Sequence, residues 1–182
     1  MNWFIHALII FSLSVQVVPA GLSYKAEKNK IKGALVAVVM VFVEVMMFGL
    51  GKLLGSSFLH LLANWKNGIV FAVFFITGVR MIMDAFKIRK GKVAYRLVEP
   101  KFVFLTAVAQ SINTFIIGLM FYFFPHIDFK TSLIALSLLS FFMILPSIFT
   151  PQNRISLSFA AVLYVLGGGF FVLTAFYLGF AL

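Results

Sequence analysis

Ser14-Val15-Gln16-Val17-Val18-Pro19-Ala20-Gly21-Leu22 and Ser111-Ile112-Asn113-Thr114-Phe115-Ile116-Ile117-Gly118-Leu119 follow one pattern: serine, a β-branched residue, a side-chain amide, four residues, glycine, leucine. Each copy lies in the first apolar run of its half of the chain. The apolar runs fall at 3–22, 33–55, 67–86, 102–124, 131–149 and 156–182. At ~1.5 Å per residue, each is long enough to cross a hydrocarbon core of ~30 Å as a helix. Helices are expected because a backbone polar group left unpaired in lipid costs several kcal/mol. Three runs per half is an odd number, so the second copy enters the membrane from the side opposite to the first. The expected fold is therefore an all-α integral membrane protein, with six transmembrane helices arranged as two inverted three-helix repeats. Residues 1–86 form the first repeat, 87–101 a basic cytoplasmic loop, and 102–182 the second repeat.

Composition supports this reading. The chain has 182 residues, of which 63% are hydrophobic and 11% charged, against about 25% charged in an ordinary soluble domain. Little sequence is left for a soluble catalytic head. The lack of cysteine excludes disulfides, thiolate metal sites and a cysteine nucleophile. The net charge of +10 is a topology signal. Lys25, Lys28, Lys30 and Lys32 lie in the first loop. Lys87, Arg89, Lys90, Lys92, Arg96 and Lys101 lie in the third, and Arg154 in the fifth. The second and fourth loops and their borders hold only Lys52, Lys66 and Lys130. The positive-inside rule then places the odd loops in the cytoplasm and both termini outside. The basic residues face lipid headgroups, and no nucleic-acid partner is expected. Val18-Pro19-Ala20 has the form of a signal-peptidase site, but residues 1–8 carry no Lys or Arg, so an uncleaved first span is expected.

Polar groups inside apolar runs are the functional candidates. Glu44 lies at the centre of the second run. An isolated charge there costs at least ~2.5–3.5 kcal/mol, so the residue should face the interior of the bundle, as a cation or proton site or as a protonated interhelical donor. Gln16, Asn113, Ser14, Ser111 and Gln110 supply neutral oxygens and amide donors that would line an ion path or join helices. Arg80 and Asp84, at i and i+4, form a structural ion pair or a gating pair in which Arg80 alternates between Asp84 and Glu44. His6, His60 and His126 are expected at the outer interface. Met40, Met46 and Met47 read as apolar filler. No phosphate-binding loop, nucleophile elbow or metalloprotease helix is present, so no enzymatic activity and no cofactor are expected.

The stretch from Trp65 through Gly78-Val79-Arg80-Met81-Ile82-Met83-Asp84 resembles the third helix of bacterial manganese efflux pumps, the MntP family. In that family a Trp and an apolar run precede Gly-x-Arg-Met-Ile-x-acidic. Phe11–Gln16 and Ala109–Thr114 resemble its two Ser-x-Asp segments, Glu44 its polar position on the second helix, and Gly167-Gly168 its glycine-rich sixth helix. The resemblance implies efflux of manganese(II) across the bacterial inner membrane by alternating access, with Gln16, Glu44 and Asn113 as metal-contacting positions. The transported ion and the bilayer are the implied partners, and a homo-oligomer is compatible with the pattern.

One departure bears on the chemistry. The family's two aspartates are amides here, Gln16 and Asn113, whereas divalent cations favour carboxylate-rich oxygen sites. The alternatives left open are a membrane scaffold or regulatory protein that keeps the fold without transport, and an exporter of a small organic solute of the lysine-exporter type.

Overall fold

In a computed structural model that describes residues 3–24, 30–92, 100–124 and 127–181, the chain is helical throughout, with no strand among the described residues. Lys25, Lys28, Arg96 and His126 lie outside them. Helix α1 (Trp3–Ser14) passes through a 3-10 turn at Val15–Val17 into α2 (Val18–Ser23). Helix α3 (Lys30–Phe58) is joined by a 3-10 segment, Leu59–Trp65, to α4 (Lys66–Arg89). Helices α5 (Pro100–Gln110) and α6 (Ile112–Met120) are separated at Ser111, and α7 (Phe129–Phe149) and α8 (Arg154–Ala181) complete the chain.

Five helical stretches are long and apolar enough to cross a membrane: Trp3–Ser23, Ile31–Arg89, Lys101–Phe123, Phe129–Phe149 and Arg154–Phe180. The second has 59 residues and contains the α3–α4 break. As one continuous helix it would measure about 88 Å, nearly three times a hydrocarbon core.

Local sequence explains where helices stop. Gly91, at φ +64°, takes the left-handed position after α4 that a side chain would resist. The Gly91 N–H then donates to Ile88 O at 2.9 Å and the Lys92 N–H to Lys87 O at 3.0 Å, the paired bonds of a Schellman stop. Helix α8 opens with a reciprocal cap. The Ser156 N–H donates to Asn153 Oδ1 at 2.8 Å and the Asn153 N–H to Ser156 Oγ at 3.0 Å, which satisfies two donors that no turn of helix could reach. Asp128 caps α7 by accepting from the N–H groups of Lys130 and Thr131, both at 3.2 Å.

Helices pack closely where side chains are small. A Cβ on Gly78 of α4 would stand 2.6 Å from Gly168 O of α8, and one on Gly168 would stand 2.7 Å from Gly78 O. The two backbones therefore touch reciprocally. Gly118 of α6 abuts the Phe48 carbonyl of α3, and Gly21 of α2 abuts Ser147 of α7. Large apolar side chains such as Phe42, Phe142 and Phe159 are more than 60% exposed, as suits a surface solvated by lipid.

The interior holds two apolar clusters. One is rich in aromatics and includes Leu13, Val15, Phe48, Phe74, Ile117, Phe121, Leu136 and Phe171. The other is made of smaller aliphatics and includes Val17, Ala20, Ala37, Met40, Val41, Ala107, Ile144 and Ile148.

Candidate functional site: a polar layer between two apolar clusters

One set of buried or half-buried polar groups lies where these clusters meet. Along α3, Glu44 separates Met40 and Val41 of the aliphatic cluster from Phe48 of the aromatic one. Gln16 falls between Val15 and Val17, Ser140 between Leu136 and Ile144, and Gln110 and Thr114 between Ala107 and Ile117.

The break in α1 creates the first half of the site. The 3-10 turn interrupts the i→i−4 ladder, and the Gln16 carbonyl takes side-chain donors, the Tyr164 hydroxyl at 2.9 Å and the Gln110 amide. Gln16 is 2% exposed, and its Oε1 accepts from Asn113 Nδ2 at 3.2 Å. The two amides of the sequence repeat therefore meet. In the other half, Glu44 is 1% exposed and its Oε1 accepts from the Thr114 hydroxyl at 3.4 Å. The Ser140 hydroxyl approaches the same carboxyl from α7. Asn113 and Thr114 are neighbours in the chain, so they join the Gln16 pair to the Glu44 group.

This layer is under-satisfied. Gln16 Nε2, Glu44 Oε2, Gln110 Oε1 and Ser140 Oγ are buried without a hydrogen-bond partner, although buried polar groups are nearly always paired. Three clefts of 330, 540 and 560 Å³ are lined by other residues; within the layer Gln16, Glu44, Thr114 and Ser140 are buried and Gln110 and Asn113 half-buried.

Ser14 and Ser111 are buried beside the helix breaks but spend their hydroxyls on their own helices, Ser14 on Ile10 O and Ser111 on Ala107 O, both at 2.8 Å. The structure thus places them next to the amides without aiming them at Glu44. Arg80 and Asp84 lie on the exposed side of α4, with Nε–Oδ2 at 3.9 Å. Lys87, which the i,i+4 reading passed over, is the closer partner of Asp84 at 2.6 Å. In this conformation Arg80 is paired with its own helix and not with Glu44. His6 Nε2 lies 2.8 Å from Ser132 Oγ. That hydroxyl donates to Asp128 O at 3.0 Å, so the imidazole N–H must be the donor to it. His60 is exposed. Among the described residues no three His, Cys, Asp or Glu side chains gather as a metal-binding group.

Thr114, Ser140 and Tyr164 escaped the sequence reading. Thr114 had a signal, its place beside Asn113 in the repeat. A serine or tyrosine within an apolar run has none, because such residues commonly satisfy themselves within a helix.

The model of a family described as "Putative manganese efflux pump" matches residues 27–178. A curated protein of that description from Bacteroides thetaiotaomicron is 32% identical over 78 residues, which cover 43% of this chain and 40% of the relative. The match thus spans well under two thirds of the relative's length. No solved structure matches.

Proposed function

The chain belongs to the manganese efflux pump (MntP) family and is a multipass membrane protein, and on that basis we propose that it exports manganese(II) or another small divalent cation across the bacterial inner membrane. The observation that carries this reading is the under-satisfied polar layer. Glu44, the Gln16–Asn113 amide pair, Thr114 and Ser140 lie between two apolar clusters, at the breaks of two helices. Discontinuous helices around a site near mid-membrane are the usual construction of a secondary transporter.

Six crossings are proposed, with α3 and α4 counted separately on either side of Leu59–Trp65, and both termini outside. The inverted repeat is supported by three correspondences. Helix α1 and helix α5 both end beside a buried serine that precedes an amide. Gly21 packs on α7 and Gly118 on α3, as a two-fold axis exchanging the halves requires. Gly78 and Gly168 contact each other reciprocally. Alternating access would then open one apolar cluster at a time while the polar layer stays in place.

A divalent ion facing one carboxylate leaves a positive charge uncompensated, so it would cross partly hydrated and bind weakly. The unpartnered amide atoms of Gln16 and Gln110 support a second reading, export of a small polar organic solute.

The test is total cellular manganese, by mass spectrometry, in an exporter-deficient bacterium under metal load. Cells expressing the protein should hold less manganese than cells expressing Glu44→Gln at equal membrane levels. No fall in manganese relative to cells lacking the protein, with the protein confirmed in the membrane, would reject manganese export and leave the solute reading or a non-transporting role.

A further inference from the structure

We propose that Glu44, Thr114 and Ser140 form a site for one monovalent alkali cation, sodium being the type ion, and that this ion is the coupling ion of transport. The inference rests on the exporter reading above for its role in transport but not for its binding.

Charge is the first argument. Glu44 is buried to 1%, and the two side chains that reach its carboxyl, Thr114 and Ser140, are both neutral. The nearest cations along α3 and α4 do not enter the layer. Lys52 sits two turns away over the Phe129 ring at 4.2 Å, and Arg80 is paired with Asp84 on the exposed side. An isolated carboxyl in a low-dielectric interior either keeps its proton or, when ionised, is stable only beside one compensating positive charge. A single monovalent cation supplies that charge with none left over, which a divalent ion cannot do here.

Ligand chemistry is the second argument. Glu44, Thr114 and Ser140 come from α3, α6 and α7 and are at most 1% exposed. All three present oxygens, the ligand type of hard cations. Glu44 Oε2 and Ser140 Oγ are unpartnered although the two side chains approach each other, so each has an oxygen lone pair for an ion. Gln110 Oε1 is a further buried unpartnered oxygen, one turn before Thr114 across the Ser111 break. A cation bound here would satisfy oxygens that the protein alone leaves without partners.

Position is the third. The site adjoins two interrupted helices, the setting in which transporters hold coupling ions. With sodium bound, the layer is neutral and can lie between the apolar clusters. An arriving divalent ion would displace it, so the two ions alternate at one carboxylate.

The experiment uses the purified full chain. Its thermal unfolding midpoint is followed while sodium chloride replaces choline chloride at constant ionic strength. The midpoint should rise and saturate with sodium. Glu44→Gln should abolish the rise, and Ser140→Ala and Thr114→Val should weaken the apparent affinity roughly tenfold. Asp128→Asn, which removes an acid at the start of α7, should leave the response intact. A midpoint indifferent to the cation, or a sodium response that survives Glu44→Gln, would overturn the proposal. The same protein in liposomes is then tested for manganese flux under an imposed sodium gradient. Flux that follows the gradient supports the coupling role. Flux that ignores sodium and follows a proton gradient overturns it while leaving manganese export standing. Specific sodium binding without manganese flux would keep the site and reject manganese as cargo.

Discussion

Among the described residues, the side chains that reach the Glu44 carboxyl, Thr114 and Ser140, can hydrogen-bond to it but cannot neutralise it, and this charge balance dominates the chemistry of the layer. Adding carboxylates should move the site toward divalent ions. Gln16→Asp combined with Asn113→Asp is expected to increase manganese flux in liposomes and to abolish the preference for a single positive charge. Unchanged flux from a folded double variant would place the metal path elsewhere. Tyr164 acts at one remove, through the Gln16 carbonyl it donates to at 2.9 Å. Tyr164→Phe should lower stability by about 1 kcal/mol, the net worth of one hydrogen bond, because Gln110 still donates to the same oxygen. Thermal unfolding of the two proteins checks this. The importance of Glu44 was legible in the sequence because a lone acid in an apolar run has few bland explanations. The roles of Ser140 and Tyr164 were not, since their partners come from other helices.

Helix ends here are set by single residues with specific geometry. The Thr131 hydroxyl, 2.5 Å from Asp128 Oδ2, and then the Lys130 N–H hold the Asp128 carboxyl below its ordinary range. Because the folded value lies below the unfolded one, the contribution of this cap is complete above the ordinary carboxylate range. It is lost as pH falls through the folded value. Hydrogen exchange at the Lys130 and Thr131 amides, taken relative to the intrinsic rate at each pH, should therefore accelerate in acid and stay unchanged between pH 6 and 8 (roughly the range in which no carboxylate of this kind titrates). Asp128→Ala should accelerate it at neutral pH, and Asp128→Asn much less, because the amide oxygen still accepts. The extents of the helices were readable from hydropathy to within a few residues: 131–149 became Phe129–Phe149, and 67–86 became Lys66–Arg89. The breaks at Val15–Val17 and at Ser111 were not, because one amide or serine inside an apolar run barely lowers its hydropathy and does not by itself end a helix.

At the scale of the whole molecule, packing rests on backbones brought together at glycines. Gly78→Val should force α4 and α8 apart and cost about 1–3 kcal/mol or more. Gly49→Ala, where a Cβ meets nothing within 4 Å, should be neutral or stabilise by up to about 1 kcal/mol. Unfolding midpoints of the two variants in detergent would separate them, and equal midpoints would refute a close α4–α8 contact. By itself the sequence determined that the chain is helical and lipid-embedded, which residues are polar in apolar surroundings, and to which family it belongs. These are properties of composition, run length and local motif, which need no knowledge of what lies across the bundle. Only the tertiary structure decided that Gln16 meets Asn113, that Glu44 meets Thr114 and Ser140, and that Ser14 and Ser111 turn to partners on their own helices. Those outcomes depend on helix rotation and crossing, which are set by contacts between segments as much as 148 residues apart that no periodicity encodes.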